Sequence, residues 1–366
     1  MAGTILNTSG MSGFGIAGRL VADSAQVRGR MDTLLRQAST GRAGNTFAQL
    51  GSTASASLSL RPNLARLEAY QANIDAAAGR MELTQSTLKQ IGDIASRFRT
   101  QTINLNGLSR SEVDTIAGSA RDALKQVAGL LNTRDGSVYI FAGQDGAAAP
   151  VPSGDAIGTS GFVTSIATAV AAFGTAGGAA TIAATLAIGG SNAAGTSPFS
   201  PNLSQPASLL VGARTSVRIG DGVAVPTGVL ASTNADIAST GPATTGSYIR
   251  DVLRGLATLG ALSGNQVSAP GFGEVVADVR TSLADAVSAL AADAGVLGDR
   301  QSALAATQAT LTDMATAIQT QISDAEDVDM ASTLSRLSAV QSQLQASYQL
   351  IASLQSMSLA RYLGGG

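Results

Sequence analysis

The feature that most constrains the fold is a seven-residue repeat in the first third of the chain. Mostly apolar side chains recur every seven positions, and a second series follows three positions behind the first. The members of the two series are Leu60, Leu67, Ile74, Met81, Leu88 and Ala95, with Tyr70, Ala77, Thr84, Ile91 and Phe98. This spacing lays both series along one side of an α-helix. Sustained over more than four repeats, it predicts a coiled coil or a long helical bundle.

The same period returns in the second half of the chain. A helical run over residues 274–323 repeats large apolar side chains every seven positions, at Leu297, Leu304, Leu311 and Ile318. We therefore expect two long helices whose apolar sides form the seam of a bundle. The predicted seam consists of Leu60, Leu67, Ile74, Met81, Leu88, Leu297, Leu304, Leu311 and Ile318.

The last helical run, residues 327–363, carries a narrower apolar stripe. Leu337, Val340, Leu344, Ser347, Ile351 and Leu354 step by three and four positions along it. The other sides hold Gln, Ser, Ala and Thr and almost no charge, whereas a solvated single helix usually shows Glu and Lys. Small and amide side chains suit close contact with other helices on several sides. The predicted assembly interface of this helix consists of Leu337, Val340, Leu344, Ile351, Leu354 and Leu359.

Shorter patterns complete a nearly symmetric layout. Apolar periodicity predicts helices over residues 16–37, 113–130 and 248–262, and the β-branched and aromatic residues 137–143 predict a strand. Ser109 or Ser111 is expected to cap the second of these helices, with Glu112 in its first turn. Because helices precede and follow the middle of the chain in matching order, we expect the two chain ends to meet.

The predicted fold is mainly α, a long antiparallel coiled-coil or helical bundle formed by both chain ends, with an inserted small β-rich outer domain. Residues 1–45 and 328–366 are predicted to form terminal helices, residues 46–145 and 246–327 the long bundle, and residues 146–245 the exposed insert. From residue 147 to residue 213 the only charged residue is Asp155, and short Val, Ile and Thr runs alternate with Gly-rich turns. A disordered linker is the alternative interpretation, although such linkers usually carry more charge and fewer apolar residues.

Composition removes several classes of function. The sequence has no His and no Cys, which excludes disulfides, cysteine metal sites and the Ser-His-Asp triad. Its 23 Lys and Arg residues nearly balance 25 Asp and Glu residues, so no basic patch suggests a nucleic-acid partner. No apolar run is long enough to cross a membrane, and residues 1–20 lack the pattern of a cleaved signal peptide. Carboxylates or Lys could catalyse, yet no constellation of them indicates an enzyme, a cofactor or a metal site.

Two short motifs have simpler explanations than a binding site. Residues 13–18 match the G-x-G-x-x-G string of dinucleotide sites, but the residues before them do not resemble a buried strand, which that site requires. Asp324, Glu326, Asp327 and Asp329 form an acidic cluster that could hold a divalent cation. Their spacing differs from that of an EF-hand loop, so we expect them to cap the last helix and interact with its dipole.

Motifs at both chain ends resemble those of the bacterial flagellin superfamily. They occur in the order typical of that family, and together they span about residues 30–143 and 280–363. The segments are residues 34–42 (LLRQASTGR), 64–75 (LARLEAYQANID), 132–143 (NTRDGSVYIFAG), 322–329 (ISDAEDVD) and 344–348 (LQASY), followed by Ser358-Leu359 and Tyr362-Leu363. Within the superfamily, residues 139–143 and 344–348 favour the hook-associated proteins of the hook–filament junction over filament flagellin. Residues 43–50 depart from the charged stretch usual in the family.

The resemblance implies an extracellular structural subunit of the flagellum, exported without a cleaved signal. The terminal helices would form the inner tube of an axial assembly, the long helices an outer layer, and residues 146–245 an exposed head. The implied partners are further copies of the chain, other axial proteins (hook, hook-associated proteins, flagellin) and an export chaperone. A divergent flagellin that forms the filament itself is the alternative. An unrelated coiled-coil secretion or adhesion protein and an enzyme are the remaining classes, and the paired motifs argue against both.

Overall fold

The computed structural model describes residues 9–103, 105–107 and 109–363, and it describes the side chains of residues 18–353 within these ranges, apart from Asn106. Helices dominate these residues. The elements are α1 (Ser9–Thr40), α2 (Phe47–Leu50), α3 (Ala54–Ile103), α4 (Arg110–Leu131), β1 (Arg134–Asp135), β2 (Val138–Tyr139), α5 (Gly161–Ala171), α6 (Phe173–Ala176), α7 (Gly178–Gly190), α8 (Ala207–Leu210), β3 (Ser216–Gly220), β4 (Val223–Pro226), α9 (Tyr248–Ala261), α10 (Phe272–Glu326) and α11 (Met330–Leu363).

The predicted fold class is confirmed. Each helix expected from apolar periodicity is present, and the long helices from both halves of the chain pack together. Helix α3 begins at Ala54 and continues through Pro62, so the proline does not mark its start. Ser109 is the N-cap of α4, and Glu112 returns to the Ser109 backbone at 2.8 Å, which completes a capping box.

The chain divides into two compact units. The terminal unit comprises Met1–Leu67 and Asp313–Gly366, and the central unit comprises Glu68–Thr312. The division falls inside α3 and α10, whereas the boundaries predicted from sequence fall at breaks between helices. The division of the chain into terminal helices, bundle and exposed insert therefore stays a prediction.

Within the terminal unit, α1 and α11 pack along each other. Helix α1 ends where Gly41 adopts a left-handed conformation, with φ of 72°, and donates its N–H to the carbonyl of Gln37 at 2.8 Å. An antiparallel bridge then joins Arg42 to Asp327, directly before α11. Since the end of α1 lies beside the start of α11, the two helices run antiparallel.

Within the central unit, α3 and α10 contribute the predicted seam. Ile74, Met81 and Leu88 are at most 1% exposed. On α10, Leu297 and Leu304 are equally buried. Polar side chains tie the same helices at the surface, where Gln71 donates to Thr312 at 3.0 Å.

Helix α9 is the centre of the central unit, since every residue from Tyr248 to Gly260 is buried. It packs against α4, α5 and α7. Both of its arginine side chains make polar contacts with neighbouring segments. Arg254 forms an ion pair with Asp278 of α10 at 2.7 Å, and Arg250 donates to the carbonyl of Ser232 at 2.8 Å. The helix therefore contacts its neighbours in the central unit through polar as well as apolar groups.

The middle of the chain contains helices as well as the expected strands. Hairpin β3–β4 turns at Gly222, whose φ is 75°, and hairpin β1–β2 covers only the start of the predicted strand 137–143. Helix α5 buries Phe162, Ile166 and Val170, which recur every four residues. Helix α7 approaches α9 so closely that a Cβ on Gly189 would lie 3.1 Å from the Arg254 side chain. Small residues thus serve helix packing here.

Among the helices of the described residues, none combines the length and apolar character that a bilayer span requires.

Candidate assembly surface of the terminal helices

The paired sides of α1 and α11 follow a three-and-four spacing, as in an antiparallel coiled coil. Residues at these positions are buried or half-buried, and most of their neighbours are exposed. The α1 positions are Leu20, Ser24, Val27, Met31, Leu34 and Ala38, and the α11 positions are Thr333, Leu337, Val340, Leu344, Ser347 and Ile351. We call this set the terminal seam. Ser24, Ala38, Thr333 and Ser347 interrupt the large apolar members, so the seam is narrow.

Four of the six predicted assembly residues lie in the terminal seam. Leu344 is 8% exposed, and Leu337, Val340 and Ile351 are half-buried on the same side of α11. Leu354 and Leu359 belong to α11, but their side chains lie outside the described residues. Because α1 of the same chain covers the seam, a role for these residues in contacts between subunits stays a prediction.

The outer sides of the two helices expose large apolar residues of their own. Val21 and Leu35 of α1 are 57% and 43% exposed, and Leu334 and Leu350 of α11 are 51% and 57% exposed. Arg28 lies over the ring of Tyr348, with 5.5 Å between the guanidinium carbon and the ring centre. Exposed apolar side chains such as these are a surface that further helices can cover.

The predicted bundle seam is unevenly buried. In the central unit, Ile74, Met81, Leu88, Leu297 and Leu304 are inaccessible or nearly so, and Leu311 is 8% exposed. In the terminal unit, Leu60, Leu67 and Ile318 are half-buried. The heptad spacing placed every member on the packed side of its helix, while the degree of burial follows from which helices surround it.

The breaks after α1 and before α11 are held together by backbone hydrogen bonds. The N–H of Ala43 donates to the carbonyl of Glu326 at 2.6 Å, and the N–H of Val328 donates to the carbonyl of Gly41 at 2.9 Å. Thr53 adds a hydroxyl bond to the carbonyl of Ala325 at 2.9 Å. We call residues 41–43, 53–61 and 325–328 the joint. These contacts hold the C-terminal end of α1 beside the N-terminal end of α11.

The Glu326 side chain is the electrostatic centre of the joint. Arg61 donates to it from Nε at 2.9 Å and from Nη2 at 2.6 Å, and the Ser57 hydroxyl also donates to it. The Glu326 side chain is 9% exposed, and the Arg61 side chain is 49% exposed. The hydrogen bonds from Arg61 and Ser57 outweigh partial desolvation and lower the pKa of Glu326 below its ordinary value. A charged, bidentate pair of this kind is stronger and more directional than a neutral hydrogen bond.

The acidic cluster around the joint has two separate roles. Asp329 caps α11, because its Oδ1 accepts the N–H of Ala331 at 2.9 Å and that of Ser332 at 3.3 Å. Glu326 instead belongs to α10 and pairs with Arg61. Nowhere in the described part of the chain do three or more acidic side chains converge as metal ligands. The cap was expected from sequence, whereas the Glu326–Arg61 pair was not, since 265 positions separate its members.

The Gly-rich string at residues 13–18 lies inside helix α1. A dinucleotide site needs these glycines in a loop between a strand and a helix, so that the backbone can approach a phosphate. The interpretation of this match as a coincidence is therefore consistent with the backbone that the structure describes.

The motif at residues 132–143 is anchored to later segments of the central unit. Asn132 exchanges two hydrogen bonds with the backbone of Val151, at 2.8 and 2.9 Å. Phe141 is fully buried, and its carbonyl accepts the N–H of Ala231 at 3.0 Å. A Cβ on Gly143 would lie 2.3 Å from the carbonyl oxygen of Ala213, so only glycine fits. The motif thus has a structural role within the central unit.

Known protein families match both helical halves of the chain. Residues 20–145 match the bacterial flagellin N-terminal helical region, and residues 281–363 match the bacterial flagellin C-terminal helical region. Together the matches span more than half of the sequence. The chain belongs to the bacterial flagellin family. No curated protein matches it.

As a flagellin-family member, the chain is a structural subunit of the extracellular bacterial flagellum. The family functions in motility by self-assembly with other axial proteins of the flagellum. The matched N-terminal region contains α1, α3 and α4, apart from the first residues of α1, and the matched C-terminal region contains α11 and most of α10. Among these elements are the helices that form the terminal seam, most of the joint and the bundle seam of α3 and α10.

Proposed function

We propose that this flagellin-family subunit assembles at the junction between hook and filament, as hook-associated protein 3 does, and that α1 and α11 carry its contacts with neighbouring subunits. The observation that supports the junction is the pair of motifs at residues 139–143 and 344–348, which resemble the junction branch of the family. The first motif lies directly before the predicted insert. The second motif lies on α11, where its residues Leu344 and Ser347 belong to the terminal seam.

The assembly role of the terminal helices rests on their two-sided apolar character. One side of each helix contributes to the terminal seam, and the other exposes residues such as Leu35 and Leu350. A single antiparallel pair leaves this second side in water, which costs free energy that neighbouring subunits can recover. In a symmetric assembly the same contact is repeated by every subunit, so small contributions accumulate.

Export without a cleaved signal, with the help of a chaperone, is part of the same proposal. An axial subunit has to leave the cell before it can assemble at the distal end of the hook. Detection of full-length chain, starting at its first residue, in the medium of filament-deficient cells would support this route. Accumulation of a trimmed N-terminus there would contradict it.

Labelling of the assembled organelle distinguishes the two positions. An epitope in the exposed turn at Asp221 and Gly222 should be detected by immunogold microscopy as one band between hook and filament. Label along the whole filament would instead identify the chain as the filament flagellin. Purified protein provides a second test, because at high concentration a junction protein should remain monomeric or form short oligomers, whereas a flagellin should form filaments.

A further inference from the structure

The joint gives the terminal unit a specific point of control. Two segments near the start of the chain meet residues 325–328 there, and Glu326 contacts both of them at once. Its backbone carbonyl holds the loop after α1 through Ala43, and its side chain holds α3 through Arg61 and Ser57. Loss of the contacts of Glu326 would therefore loosen the C-terminal end of α1 and the N-terminal end of α11 together.

We propose that Glu326 is a latch which fixes α1 and α11 to the start of α3, and that opening it releases the terminal helices while the central unit stays folded. The residue does not itself have to contact a neighbouring subunit. It positions the two helices that do, so that an arriving subunit meets an ordered pair. This deepens the proposed assembly role and rests on it only for the effect on incorporation.

The geometry favours Glu326 over the other acids nearby as the latch. The whole residue is only 7% exposed, whereas Asp324, Asp327 and Asp329 all lie at the surface. Ser57, fully buried beside it, leaves no room for water to replace the hydroxyl bond easily. A buried carboxylate with three charge-assisted or hydroxyl donors depends on all of them, since an unpaired charge there would be costly.

The remaining charged groups around the joint support a local effect. Arg42 also acts on Glu326 as a cation, and it lies in the bridge to Asp327. Both Arg61 and Arg42 are exposed. Opening the latch thus separates Glu326 from arginine side chains that already reach water, and it requires no rearrangement of the central unit.

Hydrogen exchange on the full-length monomer tests the latch directly. The N–H groups of Ala43 and Val328 report the joint, and those of α9 report the central unit. In Glu326→Gln, which keeps the size of the side chain and removes its charge, we expect the first two amides to exchange about tenfold faster or more. The α9 amides should be unchanged. Asp324→Asn, which removes an exposed charge two positions away, should leave all of them unchanged.

Trypsin provides a second measurement on the same proteins. Arg42 is exposed, but its backbone is held in the bridge to Asp327, so cleavage after it requires the joint to open. Cleavage there should accelerate in Glu326→Gln and in Arg61→Gln. The double variant Glu326→Arg with Arg61→Glu should restore slow cleavage in part, because it re-forms the pair with reversed charges.

Several results would overturn the latch. The Ala43 and Val328 amides of the unaltered protein could exchange as fast as unfolded chain, or Glu326→Gln could leave them unchanged. In cells, exported Glu326→Gln protein should incorporate poorly. Normal incorporation despite an opened joint would also count against the proposal, as would failed incorporation with an intact joint, which would place Glu326 in a contact between subunits. None of these outcomes depends on whether the chain is found at the junction or along the filament.

Discussion

The part of the bundle seam that lies in the central unit and the terminal seam have the same spacing, but they differ in the side chains at these positions. In the central unit the positions hold Ile74, Met81 and Leu88, all at most 1% exposed. In the terminal seam Leu337 and Val340 are half-buried, and serine, threonine and alanine occupy several of the remaining positions. Periodicity thus predicts which side of a helix packs, while side-chain size and the number of neighbours determine how much free energy the packing provides.

This difference separates folding from assembly. The central unit surrounds α9 with helices and buries large side chains completely, so it is expected to fold as an independent unit. The terminal pair has one narrow seam and leaves its outer apolar residues exposed. Two helices with so little buried area are marginal in water, and they gain stability when other subunits cover them.

Truncation of one leucine in each seam should have the largest effect in the central unit. Leu88→Ala leaves a cavity in a fully packed site and should lower the free energy of unfolding by about 2–5 kcal/mol. Leu344→Ala, in the terminal seam, should cost only about 1–2 kcal/mol, because a seam beside solvent can partly collapse. Hydrogen exchange of the α9 and α11 amides in increasing urea measures the two openings separately. Equal losses at both sites would show that the seams are equivalent.

Acid should affect the two units in opposite directions. The pKa of Glu326 is lowered by Arg61 and Ser57, so its stabilising contribution is present above the ordinary glutamate value, about 4.3, and is lost as pH falls below that value. Arg42 also faces this carboxylate. The terminal joint should therefore open first on acidification.

Asp251 of α9 provides the contrast. Burial raises its pKa above the ordinary value, against hydrogen bonds from Thr244 and Thr245 and the charge of Arg254. A carboxyl with a raised pKa binds its proton more tightly in the folded state, so protonation of this group stabilises the fold as pH falls. Exchange measured from pH 6 to pH 3, with each amide compared with the unfolded chain at the same pH, should show loss of protection at Ala43 before any change in α9. Simultaneous loss in both units would contradict the comparison.

A larger side chain in the terminal seam should have the smallest effect and the opposite sign. Ser347 is half-buried at a seam position, and Ser347→Leu should add apolar contact with α1 worth about 0.5–1 kcal/mol. Slower exchange of the α11 amides would show this gain. The matched variant Ser342→Leu lies on an exposed position of the same helix and should not change exchange within the monomer. Destabilisation by Ser347→Leu would mean that the seam has no free space.

The sequence predicted most of the helices because their signals are local. Heptad spacing marked α3 and α10, and Ser109 with Glu112 marked the start of α4. The same locality limited the prediction at α5 and α7. Their Val, Ile and Thr residues suggested strands, yet Phe162, Ile166 and Val170 recur every four residues, and helix packing against α9 overrides their β-propensity.

The candidate site was only partly predictable for a related reason. The stripe on α11 follows from spacing, but its partner α1 lies at the other end of the chain. Similarly, Glu326 was visible as part of an acidic cluster, whereas its pairing with Arg61 depends on two helices meeting in three dimensions. The burial of Arg250 and Arg254 likewise follows from the position of α9 among its neighbours.

The central claim is that the terminal helices carry assembly and that the central unit folds without them. Leu344→Asp tests it, since the new carboxylate would be buried in the terminal seam without a partner, at a cost of several kcal/mol. We predict protein that is exported, soluble and unchanged in the melting of its central unit, but absent from the assembled flagellum, and Ile351→Asp should behave alike. Normal incorporation, or a fall of many degrees in the melting temperature of the central unit, would contradict the account.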